Sequence, residues 1–204
     1  QSAFILLVIF WGLRLSYYML KRGLKHEFQD DRYDLIQQNW KNQSLASFLY
    51  FMFQALFAAI TCIGAQYVFK NNINFANNNV FYGISTVLLL ISILGLIIEI
   101  VSDKQKQNFK KLKSKGFIKT GLWKYSRHPN YFGELIFWFA ISTFAFINSF
   151  NILSFSMPLI LLFIFLKISI PISEDYAISK YNKDYKNYIK STSKIIILKN
   201  RQKT

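Results

Sequence analysis

The sequence predicts an all-α fold, a polytopic helix bundle integral to a membrane. Apolar residues come in blocks of about 20, the length that crosses a bilayer as a helix. Basic residues gather in alternate connections between those blocks. No stretch alternates with the period of two that barrel strands need, and backbone groups in lipid must bond internally, so the blocks read as helices. The distribution decides this rather than the total. The chain is 52% hydrophobic, close to the roughly 45–50% of soluble domains.

Five spans follow in order, within a single membrane domain over residues 1–204. The first, about 2–20, is interrupted by Arg14, which either snorkels to the cytoplasmic edge or pairs with a buried acid, Glu134 or Glu99. The second and third, about 45–69 and 80–101, are rich in Phe, Leu and Ile. The fourth runs over about 130–147. The fifth, about 150–170, contains Pro158, which predicts a kink unless packing compensates. Residues 171–204 form a cytoplasmic tail. Gln1 enters its apolar span with no basic leader and no small-residue cleavage site, so the block reads as a span rather than a signal peptide. The one cysteine, Cys62, falls inside a span and reads as an inert packing residue.

Charge sets the orientation. The chain holds 25 Lys and Arg against 10 Asp and Glu, a net charge of +15. Segments 21–44, 102–129 and 167–204 carry five, nine and nine basic residues, whereas 70–79 and 148–149 share only Lys70. Alternating basic loops place the first three segments in the cytoplasm. Most of these lysines serve orientation and attraction to anionic membrane lipid. Nothing resembling a recognition module for nucleic acid accompanies them. The absence of a cysteine–histidine set argues against catalytic zinc. Low proline with abundant Asn, Lys and Ile suggests a bacterial inner membrane.

The motif "GLWKYSRHPNYFGE", Gly121 to Glu134, is the polar anomaly. Pro129 suits the first position of a helix, which makes His128 the cap and puts Asn130 and Glu134, four apart, on one face. A helix N-terminus facing the cytoplasm favours an anion. Arg127 adds a planar fork, His128 a donor, and Gly133 room for close backbone approach. Glu134 lies a turn deeper, where an ionisable group usually faces a wet cavity. Trp123 and Tyr125 also suit interfacial anchors, and Arg127 and His128 suit lipid headgroups.

Two further features point to the same side. In "EIVSDKQKQNFK", Glu99 and Asp103 straddle the end of the third span, and the alternative is a solvated charge cluster closing a helix. In "SEDYAISKYNKDYKNYIKSTSK", Glu174, Tyr181, Tyr185 and Tyr188 share a helical face. That face can stack on a flat ring and donate hydroxyl bonds, or it can simply pack against the bundle.

Together these segments resemble the steroid 5-alpha-reductase-like membrane enzymes, and more narrowly their bacterial branch, the DUF1295 family. "WGLRLSYYMLKRG" with "DDRYD", then "EIVSDKQKQNFK", the central motif and "YNKDYKNYIKSTS" come in that branch's order and cover nearly the whole chain. The resemblance implies a seven-helix bundle open to the cytoplasm, with two helices before Gln1, holding NADPH. The implied reaction is reduction of a carbon–carbon double bond conjugated to a carbonyl in a lipophilic, lipid or steroid-like substrate delivered through the bilayer. Carried over by position, Asp103, Arg127, His128, Asn130, Tyr131, Glu134, Glu174, Tyr181 and Tyr185 would bind the cofactor, with Lys110 or Lys111 near its phosphates.

The substrate half departs from that pattern. The carbonyl-holding tyrosine corresponds to Phe10 or Trp11, and its glutamate would precede Gln1, so no proton donor is assigned; Tyr17 and Tyr18 are near enough to test. A rival resemblance is to S-adenosylmethionine-dependent membrane methyltransferases of the isoprenylcysteine carboxyl type, which "RHPNYFG" and "EDYAISKYNKDYKNY" satisfy loosely. Glu134 directly after Gly133, and the nine basic residues of 102–129, favour the reductase. A non-catalytic membrane protein retaining a lipid or nucleotide pocket is the third reading.

Overall fold

A computed structural model describes residues 1–24, 45, 52, 79–112 and 115–198. The predicted second span with Cys62, residues 25–44 of the loop before it and residues 70–78 after it lie outside those residues, apart from isolated helical positions at Leu45 and Met52. The elements are α1 (Ser2–Leu24), α2 (Asn79–Lys111), a 3-10 turn (Gly121–Lys124), α3 (Pro129–Ser149), a second 3-10 turn (Ile152–Phe155), α4 (Ser156–Ile164), a π-helical turn (Phe165–Ser169) and α5 (Ile170–Ser191). The described residues contain no strand. Among them, three helical stretches are long and apolar enough to cross a membrane: Asn79–Lys111, Pro129–Ser149 and the continuous run Ile152–Ser191. The molecule is an all-α membrane helix protein.

The chain packs as two compact units, one of residues 1–77 and 142–157, the other of 78–141 and 158–204. In the first, Phe4 is buried and stacks on Phe144 with ring centroids 4.0 Å apart. α3 ends there with Phe150 in the left-handed region (φ 47°). Asn151 then caps the following 3-10 turn, its side chain accepting from Leu153 N–H at 2.9 Å.

The second unit holds the polar motifs. α2 keeps a narrow interior stripe of Ser92, Gly95, Leu96, Glu99 and Ser102. Its other faces expose Val80, Val87, Leu90, Leu94 and Ile97, as a lipid-facing surface should. The stripe's small residues allow α3 to approach. A Cβ built on Gly95 would meet Phe137 N at 2.6 Å and Gly133 O at 2.7 Å. One built on Gly133 would meet Glu99 N and Gly95 O, each at 2.6 Å. The two helices therefore touch backbone to backbone, as small-residue interfaces in membranes do. The close approach expected at Gly133 is to α2 itself.

Pro158 does not kink the fifth span. It is fully buried in the first turn of α4, where a proline sacrifices no helical hydrogen bond. The irregularities fall later, at the π-helical turn and at Asn182, whose φ of 37° and ψ of −110° interrupt α5. Hydropathy drops near residue 170, and the helical face expected over 174–188 lies within α5, which runs to Ser191.

Candidate functional site

α3 begins where the motif predicts. Pro129 is its first residue, His128 precedes it as the cap, and Phe132 N–H donates to His128 O at 3.2 Å. The turn leading in is anchored on α2. Leu122 N–H donates to the Gln105 side chain at 3.0 Å, and Trp123 Nε1–H donates to Ser102 O at 3.1 Å. Gly121 sits at φ 62° directly against Gln105, a place where a side chain would be both strained and obstructed.

Arg127 is 6% exposed, and its fork is turned inward. Nε and Nη2 donate to the two Glu174 oxygens at 2.7 and 3.4 Å. Nη1 donates to the carbonyls of Ile189 and Thr192 at 3.0 and 2.6 Å, and the Arg127 backbone N–H donates to Ser193 O at 2.8 Å. The Ile189 and Thr192 carbonyls belong to the C-terminal end of α5, where unpaired carbonyls favour a cation. Glu174 and Ile189 are fifteen residues apart, about 22 Å along a straight helix. One guanidinium reaches both because the break at Asn182 turns the two halves of α5 toward each other. Arg127 is thus the clamp that closes this folded helix.

His128 joins the same acid, its Nε2 lying 3.2 Å from Glu174 Oε1. Its ring stacks on Tyr131 (5.3 Å, 8°), and Tyr131 stacks on Phe165 in the π-helical turn (4.1 Å, 8°). Burial lowers the His128 pKa below its ordinary 6.5, with the Glu174 hydrogen bond and charge opposing. The folded protein therefore refuses a proton that the unfolded chain accepts. Stability is complete above pH 6.5 and falls as pH drops below it toward the folded-state pKa. The thermal midpoint should decline across that window, by at most about 1.4 kcal/mol of stability per pH unit. His128→Asn should flatten the decline.

The tyrosine face packs inward. Phe117 meets Tyr181, Tyr185 and Tyr188 with centroid distances of 5.3, 4.8 and 5.2 Å. Tyr188 O–H donates to the carbonyl of Trp123 and lies 3.4 Å from that of Ser126. Tyr185 and Tyr188 are buried, whereas Tyr181 is half-buried. This face joins α5 to the loop before the motif.

A second polar group lies between α2 and α3. The antiparallel register set by Gly95 beside Phe137 and Glu99 beside Gly133 brings Ser102 and Asp103 level with Pro129 and Asn130. The Asn130 side-chain oxygen is buried and has no hydrogen-bond partner among the described residues. Along α2, Glu99, Asp103, Lys106 and Lys110 recur at spacings of four, three and four, one helical face. They pass from buried (Glu99, 5% exposed) through half-buried (Asp103, Lys106) to exposed (Lys110). The stripe turns from acidic to basic as it leaves the apolar region. Lys111 is exposed one position on, and Glu134 is half-buried one turn into α3.

The eleven predicted residues thus divide. Arg127, His128 and Glu174 form one ion-paired cluster with Tyr131 stacked beside it. Tyr181 and Tyr185 gather around Phe117. Asp103 and Asn130 belong to the α2–α3 crossing, with Glu134 one turn further along α3 and Lys110 and Lys111 further along α2. Lys106 was not anticipated. Its ammonium lies 5.2 Å from the Trp123 ring centroid, and its charge is felt at His128. Its spacing of three from Asp103 was the available signal.

No curated protein and no solved structure matches the chain. The profile of a family described as protein of unknown function (DUF1295) matches residues 1–192. By that match over nearly its whole length, the chain belongs to the DUF1295 family.

Proposed function

We propose that the chain is a membrane-embedded, NADPH-dependent reductase of a carbon–carbon double bond conjugated to a carbonyl in a lipid or steroid-like substrate. The observation that carries the reading is the Asn130 oxygen, buried at the head of α3 without a partner among the described residues. A buried acceptor left unsatisfied costs about 1–3 kcal/mol, so its persistence suits a donor supplied by a ligand. The residues around it fit a dinucleotide. Asn130, Asp103 and Glu134 are acceptors suited to amide and hydroxyl donors. Lys106 and Lys110 continue the same α2 face outward as phosphate partners, with Lys111 beside them.

When bound, the cofactor supplies a hydride to one alkene carbon, and a proton completes the other. The chain's own part is positional. The Arg127–Glu174–His128 cluster holds the entry to α3 rigid, so that Asn130 keeps its place opposite Asp103. Arg127 and His128 act as the wall of the site, their hydrogen-bonding groups being directed to Glu174, Ile189 and Thr192.

Thermal unfolding in detergent tests the choice of cofactor. NADPH at about 100 times its dissociation constant should stabilise the protein by about 2.7 kcal/mol, and S-adenosylmethionine should do nothing. Stabilisation by S-adenosylmethionine alone would replace the reductase with a methyltransferase. Indifference to both would leave a non-catalytic membrane protein.

A further inference from the structure

On the same unit, away from the polar crossing, α3 and α4 border an apolar groove of about 490 Å³. Its walls are Phe132, Leu135, Ile136 and Phe139 of α3 with Leu162 and Leu166 opposite, and residues 193–196 close one end. From Phe132 to Phe139 the groove follows α3 for about 10 Å, from the helix's first turn toward the middle of its span. The volume falls within the roughly 300–1,000 Å³ typical of small-molecule sites.

The closed end is polar and basic. Ser193 and the exposed Lys194 line it, and the exposed Lys167 follows Leu166 directly in sequence. Among the described residues, no acidic side chain lines the groove. Residues 193–196 are held there by the same contacts that order the motif. Ser126 Oγ–H donates to Ile195 O, and Arg127 N–H donates to Ser193 O. A long apolar trough inside a membrane-spanning segment, lined at its basic end by Lys194 and with Lys167 next in sequence to the lining Leu166, has the polarity of one particular molecule. We propose that it binds an anionic phospholipid, one acyl chain lying along α3 and the headgroup phosphate between Lys167 and Lys194. The lipid comes from the basic, cytoplasmic side, where anionic headgroups attract lysines. This site is separate from the cofactor reading and stands without it.

Native mass spectrometry of the detergent-purified full chain, after delipidation, measures the proposal with dioleoyl-phosphatidylglycerol and dioleoyl-phosphatidylcholine as probes. Phosphatidylglycerol should bind more tightly by on the order of tenfold. Lys167→Glu with Lys194→Glu should abolish that preference while phosphatidylcholine binding persists. Leu166→Trp, at an exposed position where folding is tolerant, should weaken both lipids by filling the groove. Equal binding of the two lipids by the native chain would overturn the proposal. So would a headgroup preference that survives the charge reversal, or acyl-chain binding indifferent to Leu166→Trp.

Discussion

Arg127→Ala should cost about 3–5 kcal/mol of stability, the usual loss when one member of a buried ion pair is removed. The reason is specific to this clamp. Glu174, 12% exposed, would keep its charge with only His128 to answer it, and the Ile189 and Thr192 carbonyls would lose their donor. Arg127→Lys should recover little, because an ammonium cannot serve two carboxylate oxygens and two carbonyls in one plane. Glu174→Ala should be milder, since Arg127 retains its carbonyl partners. The double substitution Arg127→Ala with Glu174→Ala should cost less than the sum of the single ones, as residues in direct contact are not additive. Denaturation followed by thermal midpoint in detergent checks all four. Equal, additive and small losses would mean that the clamp does not hold α5 in its folded form.

Gly133→Val should be the other severe substitution. The clash at this position is with backbone atoms of α2, Glu99 N and Gly95 O at 2.6 Å, which cannot rotate away as a side chain can. Overpacking of a tight interior costs about 1–3 kcal/mol, and here the helices must separate. Gly133→Ala should show a reduced version of the same loss, and Gly95→Ala should match it, because the two glycines face each other. Separation also lifts Asn130 away from the Asp103 level, so any ligand bound at the crossing should be lost before the fold is. Gly12, with nothing within 4 Å of its Cβ position among the described residues, is the internal control and should tolerate alanine.

The three membrane-length helical stretches among the described residues and the head of α3 were legible in the sequence because both depend on local chemistry. Apolar length predicts a span, and a proline after a capping residue predicts a start. Hydropathy falls at Lys167, yet the spacing of Glu174, Tyr181, Tyr185 and Tyr188 made a helix legible beyond it, since helix formation depends on backbone pairing rather than apolarity. The break at Asn182 was not legible. The role of Arg127 was also hidden. Its partner is 47 residues away, and only the turn at Asn182 brings the two ends of α5 to one guanidinium. The sequence permitted the phosphate reading of the fork equally well. The tyrosine face was read correctly as a face, but Phe117, which it surrounds, gave no periodic signal in its loop. Gly133 announced close approach without naming its neighbour.

The central claim is that the buried Asn130 oxygen is kept for a dinucleotide, and Asn130→Leu measures it most directly. With no partner for that oxygen among the described residues, replacing it with an apolar group of similar size should leave the ligand-free melting temperature unchanged or raise it. The same substitution should weaken NADPH binding, measured by titration in detergent, by about tenfold for one lost hydrogen bond. A variant that melts lower without ligand and binds NADPH as tightly as the native chain would contradict the account.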